Sequence, residues 1–407
     1  MQNNKRIINY IDQTSEKGHH MVFNSSMIKV LQICFPKHQL LYWGIESNQQ
    51  ATLELLTKEE IQNCNIQPIN YTNTKSSSFF VKGLFFVNKE ITRAKHFYKV
   101  LKQTTPNDVV VLSITTFTSF LVFKILHYFI KSPKTFAVLH GDIDFLYHAN
   151  SKIEKVNAWF HKRIFKIKSK DFNYIVLNKI SKQKLCKDGF LNPGEVIEIN
   201  HPYSNLNHDI EINLSSGLLQ LGHIGSMEVE RKNSHFLYQL AHRFQKEIEN
   251  KTLQFETIGL ITPNIIPFKN NWVIECVGNS KPEKPDYLTR EEYEKYVAQL
   301  HFTLFFIDIH QYIFRTSGAI IDTIAFQKPI IAFKHPYFDY LISKVGPIGY
   351  FVDTIDQMAE VLHTISNAVP QTARDYSLFT NNLAQLKELF GVQSVAADLA
   401  QQLNNNT

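Results

Sequence analysis

Short apolar runs, each closed by a turn and followed by a segment with helical spacing, recur along the whole chain. The clearest case begins with "FTLFFIDI", Phe302 to Ile309. The polar knot Arg315-Thr316-Ser317-Gly318 follows, then Ile320, Ile321, Ile324 and Ala325 at helical spacing, a break at Lys328-Pro329, and the run "IIAF". This reads as strand, turn, helix, strand. Repetition of that unit predicts parallel strands joined by helical crossovers, an α/β fold of doubly wound sheets. In the first half the expected strands are Arg6–Tyr10, Gln39–Trp43, Phe79–Val87, Val109–Ser113, Thr135–Leu139, Tyr174–Asn178 and Val196–Ile199. Helices are expected around Met21–Ile33 and Ser181–Gly189.

The stretch "HPYSNLNHDIEINLSSG", residues 201–217, is polar and without apolar period, so it reads as a linker. Beyond it the pattern restarts. Strands are expected at Leu218–Ile224, Leu253–Gly259 and Trp272–Cys276, helices at Ser234–Ile248 and after the capping box Thr289-x-x-Glu292. The expected organisation is a Rossmann-like domain over 1–205, a second over 206–375, and C-terminal helices over 376–407 that can return to the first domain. The two domains are expected to face a cleft.

A chain of 407 residues with 44% apolar residues can bury two cores, and its 20% charged residues argue against disorder. The formal charge of +6 suits anionic ligands or a membrane surface, and no nucleic-acid recognition motif accompanies it. The four cysteines have no metal-ligand or disulfide spacing, which fits a reducing cytoplasm, and the N-terminus lacks a signal-peptide layout. The run Val109–Ile130 resembles a membrane span in length, but Lys124, His127 and its Ser/Thr-rich middle point to a strand and a helix.

Ligands of open α/β sheets bind where strand carboxyl ends meet helix N-termini, and free amides there attract anions. The knot Arg315, Thr316, Ser317 and Gly318 occupies such a place. So does "GHIGSMEVERKN", where Gly222 and Gly225-Ser226 lead to Arg231 and Lys232, cations able to grip a diphosphate. Asp322, four residues after Gly318, shares its helix face and can accept hydrogen bonds from ribose hydroxyls.

Together "GHIGSMEVERKN" and "RTSGAIIDTIAFQKPIIAF" resemble the nucleotide-binding domain of GT-B glycosyltransferases, most of all the large retaining group called family 4. That group carries a Glu-x7-Glu helix followed by Gly-Lys-Pro. Asp322 falls at the second Glu and Lys328-Pro329 at the Lys-Pro, whereas Phe314 stands at the first Glu and Gln327 at the glycine. The first carboxylate usually touches the donor sugar, so the sugar is left open. The resemblance implies a hexosyltransferase, retaining, that takes a nucleotide-diphosphate sugar to a glycan or lipid-linked acceptor in cell-surface polysaccharide synthesis. It implies acceptor-side contacts at Gly18, His19 and His20, a catalytic His140 near the transferred sugar, and no metal or other cofactor. Three rivals stand beside it. Asp142-Ile143-Asp144 matches the DxD pattern by which GT-A enzymes hold a metal. A GT-B sugar-nucleotide epimerase and a non-catalytic glycan-binding or scaffold protein share the layout.

Last, "WFHKRIFKIKSK", Trp159 to Lys170, reads as a basic amphipathic helix. Phe160, Ile164 and Ile167 form one stripe; Lys162, Arg163, Lys166 and Lys170 form another. The expectation is peripheral docking on the anionic inner face of a membrane.

Overall fold

The computed structural model describes residues 6–71, 79–130, 133–149, 151–204, 217–278, 288–310, 312, 314–367 and 369–405. The chain divides into two compact units, Met1–Ser204 with Phe390–Thr407, and Asn205–Leu389. Among the described residues the strands form two sheets, and every strand pairing is parallel.

Among the described residues the first unit holds seven strands: β1 (Arg6–Asp12), β2 (His38–Gly44), β3 (Cys64–Pro68), β4 (Val109–Ile114), β5 (Lys134–Leu139), β6 (Phe172–Val176) and β7 (Val196–Glu198). Their order is β3-β2-β1-β4-β5-β6-β7. Helices cover the sheet, so the central strands are apolar on both faces: Val109, Val110, Val111 and Leu112 are all buried. The C-terminal helix Val392–Asn405 packs on the Met21–Cys34 helix. It sends Val395, Ala396, Leu399 and Leu403 into the first unit's core. Gln402 fixes its end by bonding both the N–H and the C=O of Glu198.

The second unit holds β8 (Leu219–Ile224), β9 (Leu253–Ile258), β10 (Val273–Cys276), β11 (Phe302–Phe305), β12 (Ile330–Phe333) and β13 (Gly349–Val352), in the order β10-β9-β8-β11-β12-β13. In each sheet the order reverses once, between β1 and β4 and between β8 and β11. The carboxyl ends of those strands are the expected ligand corners.

Several expectations need correction. Phe79–Val87 is not a strand but the start of a 25-residue helix, Phe79–Gln103. Its apolar run has no turn signal on its C-terminal side, and periodicity alone cannot separate a short strand from a helix there. The true edge strand is β3, "CNIQP", whose mostly exposed and polar residues gave no apolar signal. The expected 234–248 helix is two, Phe236–Arg243 and Gln245–Glu249, broken where Phe244 leaves helical geometry. Val109–Ile130 is β4 followed by the helix Phe117–Phe129, and among the described residues no helix is long and apolar enough to cross a membrane. Most of the expected linker, residues 205–216, lies outside the described residues.

Candidate functional site

In the second unit the two motifs singled out in the sequence meet. Gly225 turns the chain at the end of β8 with φ +91°. A Cβ on it would lie 3.3 Å from the Cβ of Ala319 and 3.7 Å from Lys232 Nζ. The β8 turn, the buried lysine and the N-terminus of the Gly318–Ala325 helix therefore converge on one spot. Ser317, at the N-cap, makes no side-chain capping bond, and the first turn of that helix carries no acidic residue. Its amides and dipole are available to an anion. Gly222 serves packing instead, since a Cβ there would come within 2.4 Å of Leu300 Cδ1.

Lys232 Nζ donates to Ser226 O and Oγ, each at 3.0 Å, and stands 4.0 Å from Glu228 Oε1. Burial pulls its pKa down to about 8; Glu228 partly opposes this, and the neighbouring Arg231 charge adds to it. Arg231 bonds Glu228 Oε2 at 2.9 and 3.2 Å. Tyr312 donates to Glu228 Oε1. Beneath the loop, His223 bonds Leu304 O through Nδ1 and Ser234 Oγ through Nε2. Burial lowers its pKa to about 3, so it is a neutral strut. Asn233 donates to Phe306 O. The loop is thus anchored to the strand ends before any ligand arrives.

Asp322 is less free than the sequence suggests. Its Oδ1 accepts from Arg290 at 3.2 and 3.3 Å, and its Oδ2 accepts from the Tyr293 hydroxyl at 2.9 Å. A ribose would have to share the carboxylate with these donors. Phe314 is buried. Thr316 is half-buried, and the half-buried Arg315 lies 5.9 Å from the Tyr312 ring centroid. Lys328 is also buried, donating to Ala298 O at 2.6 Å, with its pKa pulled down to about 7 by burial. It ties the entry of β12 to the end of the Arg290–Gln299 helix.

The first unit builds a different corner. Asp12, ending β1, accepts from the Thr14 and Ser15 amides and from Asn24 Nδ2. Asn24 is bonded in turn by the hydroxyls of Tyr10 and Ser113. Asn48 accepts from Tyr42 and donates to the carbonyls of Lys17 and His19. This buried network shapes the loop that carries Gly18, His19 and His20; Gly18 and His19 are exposed.

Four imidazoles gather near it. His20 is 4.1 Å from His19 and 5.3 Å from His140 by ring centroids. Phe23 packs against His140 at 4.8 Å and His201 at 5.0 Å. Burial, reinforced by their mutual repulsion, pushes His20 well below the usual histidine range and His140 to about 3; burial lowers His201 to about 4. The group is uncharged at neutral pH. The Nε2 of His140 is enclosed without a protein partner, and His140 lines a small cavity of about 40 Å³ with Ser113 and Thr115. A neutral imidazole with an open nitrogen can exchange a hydrogen bond with a hydroxyl group.

Of the DxD pair, the Asp142 side chain lies outside the described residues. Asp144 sits in the short helix Gly141–Leu146 and its carbonyl accepts from Tyr147 and His148. Among the described residues no group of three or more His, Cys, Asp or Glu is placed to hold a metal ion. Sequence reasoning missed Asp12, Asn24, Asn48, His201, Glu228, Arg290 and Tyr293. The signal for Asp12 was a carboxylate closing an apolar strand; His201 was hidden in a stretch read as linker.

No protein-family model matches the chain, and no curated protein matches it in sequence. Solved structures do match it in shape. WaaB, a lipopolysaccharide outer core galactosyltransferase in apo form, superposes over 99% of this chain and 100% of its own at TM-score 0.61 and 12% identity. The fold is that of the GT-B glycosyltransferases. A point mutant of S. aureus TarM, in complex with fondaparinux, alpha-GlcNAc-glycerol and UDP, gives TM-score 0.63 at 11% identity over 98% of this chain and 100% of that one. A UDP-N-acetylglucosamine 2-epimerase from Listeria monocytogenes, itself identified as putative, gives 0.57 at 10% identity over 97% and 94%. At such identities the likeness concerns the GT-B fold alone.

Proposed function

We propose that this chain is a glycosyltransferase that uses a nucleoside-diphosphate sugar, bound in the second unit. The observation that carries the reading is the convergence of the Gly225 turn, Lys232 Nζ and the uncapped helix start at Ser317-Gly318. In transfer, the bond from the sugar's anomeric carbon to the diphosphate oxygen breaks, the acceptor oxygen forms the new bond to that carbon, and the acceptor's proton passes to the departing diphosphate. Charge then builds on the leaving diphosphate. Arg231, Lys232 and the helix-start amides are fixed donors suited to that charge. Asp322, held by Arg290 and Tyr293, fits a ribose contact. The neutral histidine corner of the first unit, with His140, His19 and His20, suits uncharged hydroxyls of a sugar or acceptor. The S. aureus TarM complex contains UDP, which makes UDP the first probe. Calorimetry should find nucleoside-diphosphate binding that is weakened by Arg231→Ala or Lys232→Ala, by about 1.5–3 kcal/mol for each lost charge-assisted bond. Unchanged binding in both variants would discard the site.

A second reading has its own support. Phe314 buries an aromatic ring where the resembling group has a carboxylate, and Asp322 is already bonded at both oxygens. A non-catalytic nucleotide- or glycan-binding protein would carry such changes. Release of free sugar from bound donor, followed over hours, separates the two: binding without any turnover favours this second reading.

A further inference from the structure

The basic helix expected near Trp159 exists as Lys152–Lys166, but its outward face differs from the one the sequence suggests. Ile164 is fully buried, and Phe160 packs against Phe117 at 5.0 Å. The apolar residues left in solvent are Ile153 at 74% exposure, Val156, and Trp159 at 50%. The adjacent helix, Phe117–Phe129, ends with Tyr128 at 60% and Phe129 at 79% exposure. Beside these ends lies an open groove of about 560 Å³, lined by Ile125, Tyr128, Phe129, Lys166, Ile167 and Lys168.

Cations surround this apolar surface. Lys152, Lys155, Lys162, Arg163 and Lys166 are exposed on the helix. Its one acidic residue, Glu154, is occupied in the capping box with Ser151. The Arg163 guanidinium lies 5.0 Å from the Trp159 ring centroid. Lys168, at the groove, pairs with Glu195 at 2.7 Å.

We infer that this face, the outer side of the Lys152–Lys166 helix together with the end of the Phe117–Phe129 helix, docks on an anionic lipid bilayer. Aqueous solvent alone does not favour so many large exposed apolar side chains on neighbouring elements. Charge complementarity selects the occupant. Five cations facing out with one engaged acid call for an extended negative surface. Tryptophan and tyrosine suit the headgroup level of a bilayer, and lysine stems lie along apolar surface while their ammonium groups reach phosphate. The groove repeats this layout, with an apolar wall and lysines beside it. The inference stands whether or not the chain transfers sugar.

The full chain should co-sediment with vesicles of phosphatidylcholine mixed with phosphatidylglycerol, and not with phosphatidylcholine alone. Binding should fall as salt rises. Replacing Lys155, Lys162 and Lys166 with Gln should lower the partition coefficient roughly fivefold per residue, on the order of 100-fold together. Phe129→Ser with Trp159→Ser should abolish the fraction of binding that survives high salt. All five residues are exposed, so circular dichroism and UDP binding should stay as in the parent protein. Equal recovery on neutral and anionic vesicles overturns the inference. So does absence of vesicle binding, retention in both variants, or a self-association in solution that Trp159→Ser removes.

Discussion

Lys232 belongs to the proposed diphosphate site, yet burial has drawn its pKa to about 8. Above that pH the free protein presents an amine held by Ser226, not an ammonium. An anion arriving beside it favours the charged form, so nucleoside-diphosphate binding should take up a proton between about pH 8 and the ordinary lysine range. Affinity should therefore fall as pH rises through 8. Calorimetry at pH 8.5 in two buffers of different ionisation enthalpy measures the uptake directly. Lys232→Met should remove it; uptake that persists in the variant would assign it elsewhere. With cations and amides present, turnover should survive EDTA, whereas loss with EDTA and recovery with manganese would favour the Asp142 and Asp144 pair. The glycines of the same loop separate packing from binding. Gly222→Ala should overpack against Leu300 and cost about 1–3 kcal/mol in urea unfolding. Gly225→Ala adds a Cβ at positive φ between Ala319 and Lys232. Its effect should show mainly as lost nucleotide affinity.

Among elements, the central strands were legible because parallel strands covered on both faces are nearly continuously apolar, as in Val109–Leu112 and, with Thr303 as its one polar residue, Phe302–Phe305. The edge strand β3 and the helix from Phe79 were not, for opposite reasons. An edge strand exposes its residues and needs no apolar run, while the run beginning "FFV" extends into a helix that only its length reveals. At the candidate site the cations and the helix start could be read from spacing. Their partners could not: Glu228 beside Arg231, or Arg290 on Asp322 from 32 residues away, depend on tertiary contact. Lys328 is the same kind of case. Its sequence context gives Lys-Pro, but its place is under the last turn of the Arg290–Gln299 helix, bonded to Ala298 O. Its pKa is about 7 when folded and has the ordinary lysine value when unfolded. Between those limits the unfolded chain binds more protons, so this group makes stability rise with pH above 7 and adds no slope below it. Lys328→Met should lose that rise and leave the Ala298 carbonyl without its donor, a cost of about 1–3 kcal/mol. Urea unfolding of parent and variant at pH 6 and pH 9 reads both effects; parallel stability curves would show that Lys328 does not titrate there.

At the scale of the whole molecule, the order of the chain and the order of the units differ. The polypeptide builds the first sheet, then the second unit, and returns to the first with Phe390–Thr407. The returning helix adds Val395, Ala396, Leu399 and Leu403 to a core whose other members come from the first two hundred residues. The second unit has a core of its own, with Leu221, Phe255, Phe302 and Leu362 among its buried members. Two cores predict two unfolding transitions, each answering to its own perturbation. Leu399→Ala removes a buried side chain from the first core only, at a cost of about 2–5 kcal/mol. A nucleoside diphosphate bound at Gly225 and Lys232 should stabilise the second unit only, by about 2.7 kcal/mol at a concentration one hundred times its dissociation constant. Calorimetric scans should therefore show Leu399→Ala lowering one transition and UDP raising the other, with each leaving its counterpart in place. If the substitution and the nucleotide move the same transition, the units unfold as one cooperative block, and the last helix stabilises the second unit as well as its own.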